Sequence, residues 1–164
     1  MKRLLLLAAL SLCAGSALAA ADTAAAAKAP AADPVLGTWQ LNAAASKFKS
    51  GPAFKAQTRT YAESGDQITV TIKSTGADGK EGVTQTTYRL DGKDYPVSGN
   101  PDYDGLSGKQ LNSHTASFQL KRAGKVVGKT TRAVSHDGKK LRANTNVTAA
   151  DGARSVNTLV FDRQ

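Results

Sequence analysis

The stretch Gln67-Ile68-Thr69-Val70-Thr71-Ile72-Lys73-Ser74 alternates apolar and polar side chains along its length. A period of two puts Ile68, Val70 and Ile72 on one face of an extended strand and Thr69, Thr71 and Lys73 on the other. The turn residues Ser64-Gly65-Asp66 and Ala77-Asp78-Gly79-Lys80 flank it. Asp-Gly tolerates the positive φ of tight hairpins, and it recurs at Asp91-Gly92, Asp137-Gly138 and Asp151-Gly152.

Working outward, strands are predicted over Gln57–Glu63, Gly82–Leu90, Leu106–Leu111, Thr115–Arg122, Val126–Ser135, Lys140–Val147 and Ser155–Arg163, with Tyr95-Pro96-Val97 as a short edge-like piece before a loop from Ser98 to Gly105. Ala116, Phe118 and Leu120 share one face, as do Leu141, Ala143, Thr145 and Val147. Threonine and valine are abundant in these segments, as a pleated, half-buried surface favours. No helical periodicity follows Ala56. About nine or ten successive strands with short connections form a meander, and a meander of that length removes its edges by closing on itself. The expected fold is all-β: an up-and-down antiparallel β-barrel.

Upstream, Leu36–Leu41 reads as the first strand and contains Trp39, the single tryptophan. Between Asn42 and Ala56 the connection is too long for a hairpin. A short helical turn or an excursion across one end of the sheet is expected there, with Phe48 and Phe54 as plugs. Before the strand, Lys2 and Arg3, the apolar run Leu4 to Leu12 and Ala17-Leu18-Ala19 have the pattern of a signal peptide over residues 1–19. Residues 20–33 read as an Ala-rich flexible linker, and residues 34–164 as the barrel domain. Cleavage after Ala19 leaves 145 of the 164 residues, enough for one core.

A periplasmic or secreted location follows from the leader. Its apolar run is too short to span a bilayer, and no transmembrane segment is expected elsewhere. Cys13, the lone cysteine, falls inside the leader with Leu12 before it, so lipoprotein anchoring is not expected and the mature chain has no thiol chemistry. Without Lys2 and Arg3 the chain holds 20 basic and 13 acidic residues, a net +7. The basic residues are scattered singly and aromatics are 5% of the chain. That pattern fits a solvated basic surface and argues against nucleic acid as a partner.

Gly37-Thr38-Trp39 at the head of the first strand resembles the Gly-x-Trp signature of the lipocalin and fatty-acid-binding (calycin) superfamily. The resemblance implies that Trp39 packs across the closed barrel end against a late arginine, with Arg163 the candidate and Arg154 second. A longer resemblance, to small exported bacterial lipocalin-like proteins of unknown function, rests on three segments. These are Gly37-Thr38-Trp39-Gln40-Leu41-Asn42 with Ser46-Lys47-Phe48, Asp91 to Pro101, and Val160-Phe161-Asp162-Arg163-Gln164. It implies a fold and an export route, and no catalytic residues.

Several constellations invite a functional reading. Asn100, Asp102 and Asp104 before Gly105 match the first half of a calcium loop, but Leu111 stands where the closing glutamate should be, so an Asx-rich turn is expected and no metal. His114 and His136 are expected in surface turns. Ser113, His114 and Asp104 make a triad only on paper. Arg132 alternates with Val126, Gly128, Thr130 and Val134. It either points inward, where it would meet a ligand carboxylate, or is turned to water by a bulge. Arg89, on the face opposite Thr84, Thr86, Tyr88 and Leu90, carries the same ambiguity. Arg132, Arg89, Tyr88 and Phe118 are therefore the candidate ligand-binding residues.

Two functions remain open. One is a monomeric envelope barrel that binds a small apolar or amphipathic ligand inside. The other is a solid-core interaction protein that uses its basic surface or the 98–105 loop to meet an acidic partner or anionic envelope polymer. No cofactor and no enzymatic activity are expected.

Overall fold

A computed structural model describes residues 33–50 and 53–164; the leader and all but the last residue of the linker lie outside the described residues. Eleven strands follow in order: β1 Gly37–Leu41, β2 Lys47–Ser50, β3 Phe54–Ser64, β4 Gln67–Gly76, β5 Glu81–Tyr88, β6 Asp91–Ser98, β7 Gly105–Asn112, β8 Thr115–Arg122, β9 Lys125–Val134, β10 Lys140–Thr148 and β11 Arg154–Arg163. Neighbouring strands pair antiparallel, and β1 pairs with both β3 and β11. The sheet is a closed barrel with no helix among the described residues.

Closure explains the segment after β1. The strand pairs Trp39 with Arg163 and Leu41 with Phe161, breaks at the turn 43–45, and resumes as β2 against Val156–Thr158 of the same β11. β1 and β2 are two halves of one stave, which gives ten staves in all. Ser46 bridges the break: its hydroxyl donates to the Asn42 carbonyl at 2.7 Å and accepts the Val160 N–H at 2.9 Å. The helical turn expected here is thus replaced by a strand. Phe48 and Phe54 are strand residues whose rings pack at 6.3 Å, instead of free plugs. The break is what lets a strand follow so closely without a hairpin.

β6 also differs from expectation. It is an eight-residue strand inside the ring, joined to β5 only at Gln85–Ser98 and Thr86–Val97. Pro96 has no N–H to give, and its carbonyl instead accepts the Thr86 hydroxyl at 2.8 Å.

The core is the inward face of the staves. Trp39, Val35, Leu141, Phe161 and Ala116 are fully buried, and Tyr88 and Leu120 nearly so. A bulge between Leu120 and Lys121 leaves Val127 extra on β9, so Val126 pairs with Lys121 and is 50% exposed while Gly128 faces Leu120. Val126 is therefore not an interior residue. The bulge lies before Arg132 and leaves Arg132 inward.

One end of the barrel bears the turns after β3, β5, β7 and β9, and residues 33–36 cross it. Trp39 seals that end: its indole N–H donates to the Val35 carbonyl at 2.7 Å and the Arg163 guanidinium lies 4.2 Å from its ring. Arg163 in turn donates to the carbonyls of Leu36 (2.7 Å), Pro34 (2.5 Å) and Gly138 (2.6 Å). Gly37 sits at φ 116°, a backbone conformation that favours glycine, and a Cβ there would push on Arg163 Nη1 at 2.9 Å. Asp33, read in sequence as linker, belongs to this end of the barrel.

Candidate functional site

The inward side chains are not all apolar. On β3, Gln57, Arg59 and Tyr61 alternate inward while Thr58 and Thr60 face out, and Arg59 pairs with Ile72 in register. β5 contributes Thr84, Thr86 and Tyr88, and β9 contributes Thr130 and Arg132. Arg59 and Tyr61 with these β5 and β9 side chains, and with Val70, Leu106, Phe118 and Tyr103, line an internal cavity of about 80 Å³, while Gln57 lines a wider space beyond it. That space, of about 370 Å³, opens at the other end and shares Arg59, Ile72, Thr84, Tyr103 and Thr145 with the cavity. The two spaces therefore meet around Arg59. The loop 99–103 forms part of the rim.

Arg132 is 4% exposed. Its Nη1 donates to the Tyr88 hydroxyl at 2.8 Å and its Nη2 to Asp33 Oδ2 at 2.6 Å, while its Nε has no partner. The rings of Tyr61 and Phe118 each lie 5.7 Å from the guanidinium. Burial works against its charge, but Tyr88, Tyr61 and Asp33 outweigh burial and hold it protonated. Burial drives the Tyr88 phenol well above its ordinary value, although Arg132 pulls it down. Tyr88 meets Phe118 edge to face at 5.3 Å. Three of the four candidate ligand-binding residues thus come together, but the carboxylate that Arg132 holds is the chain's own.

Arg89 does not join them. β5 ends at Tyr88, so the alternation stops, and Arg89 reaches across the turns to Asp66 at 3.0 Å with 43% of its side chain exposed. The interior cation that sequence reasoning missed is Arg59. Its Nε donates to Gln57 Oε1 at 2.9 Å and its guanidinium lies 4.5 Å over the Phe161 ring. No carboxylate lies within ion-pair distance among the described residues. Tyr103, on the same cavity, has its phenol pushed up by burial and drawn down by the Arg59 charge. The signal in the sequence was the alternation Gln57, Arg59, Tyr61 between outward threonines.

The remaining constellations have structural roles. Asn100 Oδ1 accepts the Asp102 N–H at 2.9 Å, and the Asp104 carboxylate accepts the Ala123 N–H at 3.0 Å, so these side chains cap backbone groups of the rim. Asp104 stands at the open end and Ser113 and His114 at the sealed end, which dissolves the paper triad. His114 and His136 meet at 4.7 Å between neighbouring turns.

These features define the class: a closed antiparallel barrel with a polar-and-apolar interior that opens at one end. No family model matches the chain, and no curated protein is similar to it. Among solved structures it is similar to EF1p2_mFAP2b bound to DFHBI, at 12% identity over 80% of this chain and 94% of that one, with a TM-score of 0.48. It is also similar to a de novo designed fluorescence-activating β-barrel, at 11% identity over 79% and 93% of the two chains, with a TM-score of 0.42. The barrel assignment rests on strand pairing.

Proposed function

We propose that the protein is an exported, monomeric barrel of the cell envelope that binds a small amphipathic anion at its open end and performs no chemistry on it. The observation that carries this reading is Arg59, a cation on the cavity wall with no carboxylate partner among the described residues. Arg59 is half-buried, with one N–H bonded to Gln57 and its plane over Phe161, which leaves guanidinium donors free to meet a counter-charge. An anionic head group would supply that charge and accept paired N–H donors. Ile72, Phe54 and Leu159 offer the ligand's tail an apolar wall in the wider space. That space falls within the size range of small-molecule sites, whereas the inner cavity holds only a few atoms.

Export is supported by the leader pattern of residues 1–19. The test is titration of the purified protein with a fluorescent anionic amphiphile, displaced by medium-chain carboxylates. Saturable uptake is expected, weakened about tenfold or more by Arg59→Gln, a loss of about 1.4 kcal/mol or more. Absence of uptake, together with no small molecule bound in native mass spectrometry of protein from its own host, would overturn the reading.

The small inner cavity favours a second reading, the solid-core protein that meets an anionic envelope polymer through its basic surface. Salt-sensitive retention by anionic envelope fractions is its mark, and retention indifferent to salt excludes it.

A further inference from the structure

We propose that Arg132, positioned by Tyr88, forms a carboxylate site whose occupant in the closed barrel is Asp33, with residues 33–36 the latch that carries it. With the Asp33 carboxylate removed, the same guanidinium takes a small carboxylate from solution. This inference concerns the sealed end and does not depend on the reading of Arg59.

Asp33 is far from Arg132 in sequence yet supplies its carboxylate, at 2.6 Å with side chains 5% (Arg132) and 14% (Asp33) exposed. Tyr88 donates nothing to Asp33; it accepts from the other arm of the same guanidinium. The cation is thus positioned by the staves β5 and β9, independently of the segment that neutralises it. Arg132 Nε remains buried and unpartnered, so the guanidinium has donor capacity that the latch leaves unused. The pair also separates two spaces. Arg132 lines the inner cavity, whereas Asp33 lines an outer depression of about 510 Å³ between the turns after β3, β5 and β7. Removing the carboxylate would leave a buried, unpaired cation beside the inner cavity.

What holds the latch is a short set of bonds to its backbone. Asp33 Oδ1 accepts the Val35 N–H at 2.9 Å, Trp39 holds the Val35 carbonyl, and Arg163 holds Pro34 and Leu36. Trp39 is therefore a built-in reporter: it is the sole indole, and it is bonded directly to the latch.

The test is chemical rescue in the full chain. Asp33→Ala should melt below the parent and show red-shifted tryptophan emission. Sodium formate should raise its melting temperature by several degrees more than sodium chloride at matched ionic strength, and should reverse the emission shift. The parent should show no such difference between the two salts, and neither should the double variant Asp33→Ala/Arg132→Gln. Asp33→Ser, whose hydroxyl can still accept the Val35 N–H, serves as the milder variant with the same expected rescue. Equal response to formate and chloride, rescue that survives loss of Arg132, or failure of both single variants to fold even in formate would each overturn the proposal.

Discussion

Trp39 and Arg132 show how much single side chains decide. Trp39 is fully buried, hydrogen-bonded and covered by Arg163, so Trp39→Ala is expected to cost about 3–5 kcal/mol in urea denaturation. A variant as stable as the parent would show that the sealed end contributes nothing. Arg132→Met leaves Asp33 and the Tyr88 hydroxyl without their partner in a buried setting, and a loss of about 3–5 kcal/mol is expected. Adding Asp33→Asn should return part of that loss, because the stranded charge is gone. The double-mutant cycle measures this directly, and strict additivity of the two losses would contradict it.

At the scale of elements, the seam between β5 and β6 is the weakest lateral joint, with two paired positions against eight between β4 and β5. Local opening follows the weakest ladder, so amides of β6 should exchange with solvent earlier than those of β4. Hydrogen exchange resolved by residue checks this, and uniform protection around the ring would contradict it. What the sequence disclosed and what it hid can be seen element by element. The period-two pattern of β4, β8 and β10 was legible because each strand has one buried face. β2 was hidden because its four residues, Lys47 to Ser50, carry one apolar side chain and are held by β11 instead of by a hairpin partner. Asp33 was hidden by the alanines and prolines around it, which read as linker. Arg59 lay in plain alternation with Tyr61 but among threonines that gave no apolar face. Arg89 appeared to continue a strand that in fact stops one residue earlier.

For the whole molecule, acid and base act on different groups. Asp162 accepts from the Lys140 ammonium and from Asn42 at 2.8 Å, and these bonds, the Lys140 one foremost, hold its pKa below the ordinary carboxylate value. A lowered folded value gives stability that is present above the ordinary pKa of about 4 and is lost as pH falls through the folded value. Asp162→Asn should flatten the acid limb of the stability curve, and an unchanged limb would place the loss elsewhere. Tyr88 has the opposite sign. Burial raises its pKa, so its contribution is complete below about pH 10 and fades as pH rises beyond that. Alkaline unfolding should shift in Tyr88→Phe, while the acid limb stays in place.

The pairing of β1 with β11 also sets an order in time. Trp39 meets Arg163, and the Gln164 N–H reaches the Thr38 carbonyl at 3.0 Å, so β1, the leading half of the first stave, finds its second neighbour only in residues 161–164. A nascent chain can zip β3 through β10 hairpin by hairpin, but its first and last staves remain open edges until those residues emerge. Contacts of such long separation are slow to form, and this last, slow step is the one that makes a ring out of a ribbon.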